Sequence, residues 1–169
     1  GRLAGIKDLG ILSGSMQVSG KEFDPYRMDL KGFISIDTAF FREYEYHKIR
    51  LNAEGKAGTF TYSLISDDPN AGCNFNGTVD LKNSSIEGTL SGKFSFDADK
   101  INIYKDIAAN GKLKAELQIS GDNLRSSVSI NDLIVSNSYA KEELRELTFD
   151  INSSDSLLSG RINTDFLKT

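Results

Sequence analysis

Few residues of this chain could carry out nucleophilic, acid–base or metal chemistry. It has one histidine, His47, and one cysteine, Cys73. A lone histidine without a nearby cysteine cannot supply the ligands of a zinc site, and no Gly-x-Ser-x-Gly elbow accompanies it for a hydrolase triad. Cys73 falls on the apolar phase of an alternating segment, which indicates a packing residue rather than a reactive thiol. With one cysteine, no internal disulfide is possible.

Carboxylates are plentiful, and the pair Asp67-Asp68 with Asn70 nearby offers oxygen atoms that calcium could use. The spacing of a calcium loop does not follow, and Asp-Asp-Pro-Asn is typical of a turn. No glycine-rich phosphate-binding motif precedes a helix. The sequence therefore predicts a protein that is not an enzyme and that has neither a cofactor nor a metal site.

The net charge of the chain limits which kinds of partner it can bind. The 169 residues include 20 Lys+Arg and 24 Asp+Glu, giving a net charge of −4 and a pI near 5.1. This acidity argues against nucleic-acid binding, which requires a basic patch.

No segment approaches the roughly 18–20 apolar residues of a membrane-spanning helix. Both termini lie in strand-like patterns, so we expect residues 1–169 to be one β-rich segment of a larger protein.

Period-two alternation runs from one end of the chain to the other and predicts β-strands. Leu113, Ala115 and Leu117, for example, alternate with Lys114 and Glu116. Turn residues divide the pattern into roughly ten to twelve short strands, joined as an antiparallel meander. Two segments are less regular. These are residues 99–106 and residues 138–147. For residues 138–147, a short helical turn and a loop entering a strand are equally favoured.

An antiparallel sheet with one apolar face has to cover that face. No amphipathic helix is available here, so the sheet must fold over on itself. It can curl into an open trough, or it can close as a β-sandwich or barrel. Many inward positions hold glycine or alanine, which favours strong bending but also suits close packing. The residues alone leave both arrangements open.

Aromatic residues, an apolar strand and an Asp-Pro-Asn turn follow one another in the middle of the chain. Similar turn-and-strand combinations lie before and after them. The succession resembles the large TamB-like (translocation and assembly module) proteins of Gram-negative bacteria, especially Bacteroidetes-type members, over roughly residues 11–166. The segments that carry the resemblance are residues 18–25, 40–55, 66–70, 76–81, 147–151 and 158–162.

The resemblance implies a non-catalytic, periplasmic segment of a cell-envelope protein that is anchored in a membrane outside these residues. Such proteins, relatives of the AsmA type, curl into a taco-shaped trough lined with apolar residues. They are implicated in phospholipid transport between the inner and outer membranes and in outer-membrane protein assembly. It implies phospholipid acyl chains as the ligand, while any outer-membrane barrel assembly protein would bind elsewhere in the parent protein. No catalytic residues carry over.

The apolar positions of the strands are the predicted lining of this lipid groove. They are Ile34, Leu51, Phe60, Tyr62, Phe75, Val79, Leu90, Phe94, Leu113, Leu117, Val128, Phe149 and Ile162. The alternative function is a structural or adhesive surface module that binds protein or polysaccharide. That alternative predicts a closed, dry core and ligand contacts on exposed aromatic residues such as Tyr44, Tyr46 and Tyr104.

Overall fold

The computed structural model describes residues 9–22, 24, 26–82, 85–120, 123–154 and 157–166. The described chain is β-structured throughout, as its alternating sequence predicts. Ten strands follow one another. They are β1 (Leu9–Lys21), β2 (Asp29–Phe41), β3 (Tyr44–Lys56), β4 (Thr59–Ser66), β5 (Ala71–Lys82), β6 (Ser85–Asp97), β7 (Ala108–Ser120), β8 (Asn123–Ser136), β9 (Lys141–Ser154) and β10 (Leu157–Phe166).

All ten strands belong to one antiparallel sheet whose spatial order is the order of the chain. Each strand pairs with its sequence neighbours, and the end strands β1 and β10 each pair on one side only among the described residues. The sheet is therefore an open meander rather than a closed barrel. The prediction of an all-β antiparallel meander in an open arrangement is confirmed.

The register gives the sheet two chemically different faces. Residues directly opposite one another on adjacent strands share a face, and residues two apart on a strand also share it. One ladder of opposite residues crosses the whole sheet, from Met16 on β1 to Thr164 on β10. Its members are Met16, Ile34, Leu51, Leu64, Phe75, Gly92, Leu113, Ile130, Leu147 and Thr164. We call the face that carries this ladder the apolar face.

No second layer encloses the apolar face among the described residues. No large side chain there is fully buried, and only small clusters fall below one tenth exposure. The accessible surface is 11948 Å², whereas a compact chain of 18.6 kDa would expose about 8,200 Å². The closed sandwich, which would bury its large apolar side chains, is therefore not the structure of this chain.

The predicted irregular segments are loops at the same end of the strands. Residues 98–107 form a loop between β6 and β7, as expected. The segment that offered a choice between a helical turn and a loop proves to be a loop, since residues 137–140 turn directly into β9. The strands are 8–14 residues long. The turn residues in the sequence also predict turns at residues 83–84, 121–123 and 153–155, of which residues 83–84, 121–122 and 155 lie outside the described residues.

Candidate apolar ligand-binding face

The thirteen predicted lining residues all lie on the apolar face, because the register connects them through four neighbouring ladders. Eleven are half-buried, while Leu117 and Ile162 are 37% and 68% exposed. The first ladder, from Met16 to Thr164, holds Ile34, Leu51, Phe75 and Leu113. The second ladder, from Val18 to Ile162, lies beside it and holds Tyr62, Leu90, Val128, Phe149 and Ile162, and the third, from Gly20 to Gly160, holds Phe60, Val79 and Leu117. The fourth ladder lies on the other side of the first, pairs Cys73 with Phe94 and Phe94 with Gly111, and holds Phe94. The structure thus brings the set together, and their role in binding lipid stays a prediction.

Further residues complete the same face but were not selected from the sequence. Leu64, Ile130 and Leu147 fill positions of the first ladder, and Met16 and Val18 extend the face onto β1. They follow the same alternation as the selected residues, so the sequence pattern also identifies them as apolar positions of their strands. What the sequence did not provide was the register, which decides which side chains become neighbours.

Three adjacent ladders of ten positions each carry no charged residue. The second runs from Val18 on β1 to Ile162 on β10, and the third from Gly20 to Gly160. Tyr62, Ser126 and Thr164 supply the few polar side chains among these thirty positions. An uncharged strip that crosses every strand can accommodate a long apolar molecule without leaving an ionised group desolvated.

Aromatic rings on this face lie against glycines of the neighbouring strand. A side-chain Cβ at Gly77 would collide with the ring of Tyr62, and one at Gly92 would lie 2.7 Å from the Phe75 Cα. Such aromatic cover compensates for the missing side chain of a strand glycine. Four directly opposite pairs share the arrangement. They are Gly55 with Phe60, Gly77 with Tyr62, Gly92 with Phe75, and Gly111 with Phe94.

These four pairs form a diagonal line across the apolar face. Each successive pair lies one strand further on and two residues along the strand. The four pairs therefore fall on the third, second, first and fourth ladders in turn. Two residues span about 6.6 Å and neighbouring strands are about 4.8 Å apart, so the line runs at about 36° to the strands. Strands in curled and closed sheets are inclined to the curl axis by a similar angle. A glycine line in this direction favours curling of the sheet.

Asp68 ties together one end of the sheet. Its carboxylate is buried, with 3% exposure, and accepts hydrogen bonds from the Tyr44 hydroxyl at 2.7 Å and the His47 backbone N–H at 2.9 Å. It also accepts the backbone N–H groups of Asn70 and Ala71. The Asp-Asp-Pro-Asn segment is therefore a turn fixed by Asp68 onto β3. Among the described residues no cluster of His, Cys, Asp and Glu could hold a metal ion.

The β6–β7 loop links the other turns at this end. The Asn102 side-chain amide donates to the Arg42 carbonyl in the β2–β3 turn at 3.0 Å. Asp106 accepts the Ser138 N–H and hydroxyl in the β8–β9 turn at 2.8 and 2.6 Å. The N–H of Asp97, the last residue of β6 before the loop, donates to the Asn70 carbonyl in the β4–β5 turn at 2.9 Å. We call this end, with its four turns connected by hydrogen bonds, the linked rim.

The only strongly buried apolar side chains of the described chain lie at the linked rim. Ala98 and Ile101 of the β6–β7 loop are 3% and 4% exposed, and Ala109 and Leu133 stand near the same ends of β7 and β8. A small apolar core thus stabilises the linked rim. The middle of the apolar face has no comparable core, since its side chains remain half-exposed.

Two groups near the linked rim are shielded from water rather than poised for reaction. Partial burial raises the pKa of the Cys73 thiol, so it is a weak nucleophile at neutral pH. Burial, and then the hydrogen bond to the Asp68 carboxylate, raise the pKa of the Tyr44 hydroxyl. Tyr44 also packs edge-to-face on Tyr46, with ring centroids 4.8 Å apart. Neither tyrosine is a free platform for a sugar, whereas Tyr104 is 66% exposed.

The opposite face of the sheet is polar. Lys31 pairs with Glu54 at 3.3 Å, and the Thr78 and Thr89 hydroxyls are 2.8 Å apart across neighbouring strands. A depression of about 790 Å³ opens on this face across β6–β10, and its lining includes Arg125, Arg161 and several carboxylates but no aromatic residue. Such a surface suits contact with water. The sheet therefore separates a solvated side from an apolar side.

No protein-family model, curated protein or solved structure matches the chain. No helix capable of spanning a membrane occurs among the described residues.

Proposed function

We propose that this chain is a non-catalytic, lipid-binding segment of a TamB-like envelope protein, whose apolar face shields phospholipid acyl chains from water. One observation supports the proposal above the others. A ten-stranded sheet exposes a continuous, uncharged apolar face, and the described residues provide no second layer to cover it. A surface of this kind marks a binding site, because soluble chains rarely leave such large apolar patches exposed.

The proposed binding is passive. Each acyl methylene removed from water contributes about 0.8 kcal/mol, so a chain of many methylenes needs no specific polar contact. The uncharged ladders receive the acyl chain, while the charged phospholipid head group stays in water beyond the ends of the strands. The polar face, with its cross-strand ion pair Lys31–Glu54, remains solvated. The apolar face therefore matches the acyl chains of a phospholipid, and the polar face keeps the outside of the sheet in contact with water.

The cellular role follows from the resemblance of residues 11–166 to TamB-like proteins. We place the segment in the periplasm, within a parent protein whose membrane anchor lies outside it. There it would support phospholipid transport between the two membranes, outer-membrane protein assembly, or both. Contacts with an outer-membrane barrel assembly protein belong to other parts of the parent protein. An adhesive module is the weaker hypothesis, because the closed dry core that it predicts is missing.

Substitutions on adjacent residues of β6 test the proposal. Leu90 lies on the apolar face and is half-buried, whereas Ser91 is exposed on the polar face. Leu90→Asp places a carboxylate against the acyl chain, so we expect phospholipid binding to weaken about tenfold or more. Ser91→Asp adds the same charge to the same strand and should bind lipid like the unmodified chain.

Native mass spectrometry of the chain mixed with phosphatidylethanolamine would measure the bound lipid, and circular dichroism would establish that each variant is folded. Phe94→Asp serves as a second apolar-face variant in case Leu90→Asp fails to fold. Absence of lipid on the unmodified chain, or equal loss of lipid in Leu90→Asp and Ser91→Asp, would contradict the proposal.

A further inference from the structure

The β6–β7 loop makes hydrogen bonds to turns on both sides of it. The Asn102 side-chain amide donates to the Arg42 carbonyl in the β2–β3 turn at 3.0 Å. The Asp106 carboxylate accepts the Ser138 N–H and hydroxyl in the β8–β9 turn at 2.8 and 2.6 Å. One loop, residues 98–107, thus connects turns of strands as far apart in the sheet as β2 and β9.

The bond from Asn102 to Arg42 requires a curled sheet. Arg42 follows β2, so in a flat sheet it would lie four strand spacings, about 19 Å, from the end of β6. Asn102 comes five residues after Asp97, the last residue of β6. The Ile101 N–H donates to the Asp97 carbonyl at 3.1 Å, which winds this stretch into a turn about 8 Å long. Even with its side chain extended, Asn102 would not reach Arg42 across a flat sheet.

The two residues that make these bonds suit the backbone conformation of the loop. Asn102 and Asp106 have positive φ angles of 57° and 56°. Asparagine and aspartate adopt this left-handed region more readily than most residues with a side chain. Glycine adopts it without a side chain. A glycine substitution can therefore remove each bond without straining the backbone of the loop.

The loop is held firmly between its two attachment points. The Ala98 N–H donates to the Ile107 carbonyl at 2.7 Å, so the two ends of the loop are joined. Ala98 and Ile101 are 3% and 4% exposed, which shows that the loop packs against the protein instead of extending into water. The two linking side chains are therefore kept at a fixed separation.

We propose that the β6–β7 loop is a clasp that holds the sheet curled around its apolar face, with Asn102 and Asp106 as the attachment points. Most side chains of that face are half-buried although the described residues include no second layer, as expected on the inside of a curl. The consequence for lipid rests on the proposed function. A sheet that is already curled surrounds an acyl chain without first having to bend, and such preorganisation strengthens binding.

The distance between two nitroxide labels tests the clasp without any lipid. The labels are attached at Glu45→Cys, beside the β2–β3 turn, and at Tyr139→Cys in the β8–β9 turn. Both native side chains are exposed, and the background is Cys73→Ser. Asn102→Gly/Asp106→Gly removes both side-chain links. Pulsed electron paramagnetic resonance should then show a label distance that is longer by about 5 Å, one strand spacing, or more.

Asp106→Asn is the control for the glycine variant. Asparagine tolerates positive φ and keeps a side-chain oxygen that can accept the Ser138 groups, so the label distance should stay that of the unmodified chain. Circular dichroism would establish that each variant keeps its β-structure. An unchanged distance in the double glycine variant, or an equal increase in Asp106→Asn, would overturn the proposal.

Native mass spectrometry with phosphatidylethanolamine tests the consequence for lipid. The opened sheet has to curl when it binds, so the dissociation constant of the double glycine variant should rise about threefold or more. Equal lipid binding despite a longer label distance would refute the preorganisation. Lack of lipid on the unmodified chain would instead contradict the proposed function, and the label distances would still decide the role of the loop.

Discussion

At the scale of single residues, Asp68 is the side chain that holds the most structure in place. Its carboxylate receives one hydroxyl and three backbone N–H groups, which join the β4–β5 turn to the start of β3. Its neighbour Asp67 is exposed and pairs with Arg50 at 2.6 Å. The two adjacent aspartates thus have different roles. The sequence predicts the turn that contains them, but only the fold shows which carboxylate becomes buried.

Alanine substitution of each aspartate should separate these roles. Asp68→Ala leaves buried N–H groups and the Tyr44 hydroxyl without their acceptor, so we expect the free energy of unfolding to fall by about 3 kcal/mol. Asp67→Ala removes one exposed ion pair and should cost less than about 1 kcal/mol. Urea unfolding followed by circular dichroism measures both values. Equal losses would mean that the buried hydrogen-bond network does not stabilise the linked rim.

At the scale of strands, glycines of the apolar face occupy two different environments, one crowded and one open. Gly92 lies where a side chain would collide with the backbone of β5, at Asn74 and Phe75. Gly32 occupies a similar mid-strand position on β2, but a Cβ there would meet nothing closer than the Ala53 carbonyl at 3.9 Å. The first glycine permits a close approach of two strands, and the second does not.

Gly92→Ala and Gly32→Ala are therefore a matched pair. We expect Gly92→Ala to lower the free energy of unfolding by about 2 kcal/mol, because the backbone must shift to admit the methyl group. Gly32→Ala should be neutral or raise it by about 0.4–1 kcal/mol, since alanine restricts the unfolded chain. Urea unfolding compares the two. A larger loss for Gly32→Ala than for Gly92→Ala would refute the distinction.

Sequence alternation was sufficient to identify the strands and their apolar positions, because one side chain in two must point to each face. It placed Leu51, Leu90 and Val128 on the apolar face, where the register confirms them. It was insufficient for the diagonal of glycine–aromatic pairs, since those pairs depend on which residues lie opposite across strands. It also could not show that the β6–β7 loop bonds to the distant turn at Arg42.

At the scale of the whole molecule, the part of the chain that the structure describes has the interior of a folded protein only at one end. The linked rim has hydrogen-bonded turns and a few buried apolar residues, among them Ile101 and Leu133. The rest of the apolar face consists of half-exposed side chains on a single sheet. This uneven distribution separates the region that maintains the fold from the face that we propose binds the ligand. We therefore expect acyl chains to contact the apolar face.

Quenching of a fluorophore by nitroxide-labelled phospholipid tests this contact most directly. The fluorophore is attached at Leu90→Cys or at Ser91→Cys, each in a Cys73→Ser background, and the nitroxide is placed midway along the acyl chain. These adjacent residues point to opposite faces of β6. We predict strong quenching at position 90 and little at position 91. Equal quenching at the two positions, or none at either, would show that acyl chains do not occupy the apolar face.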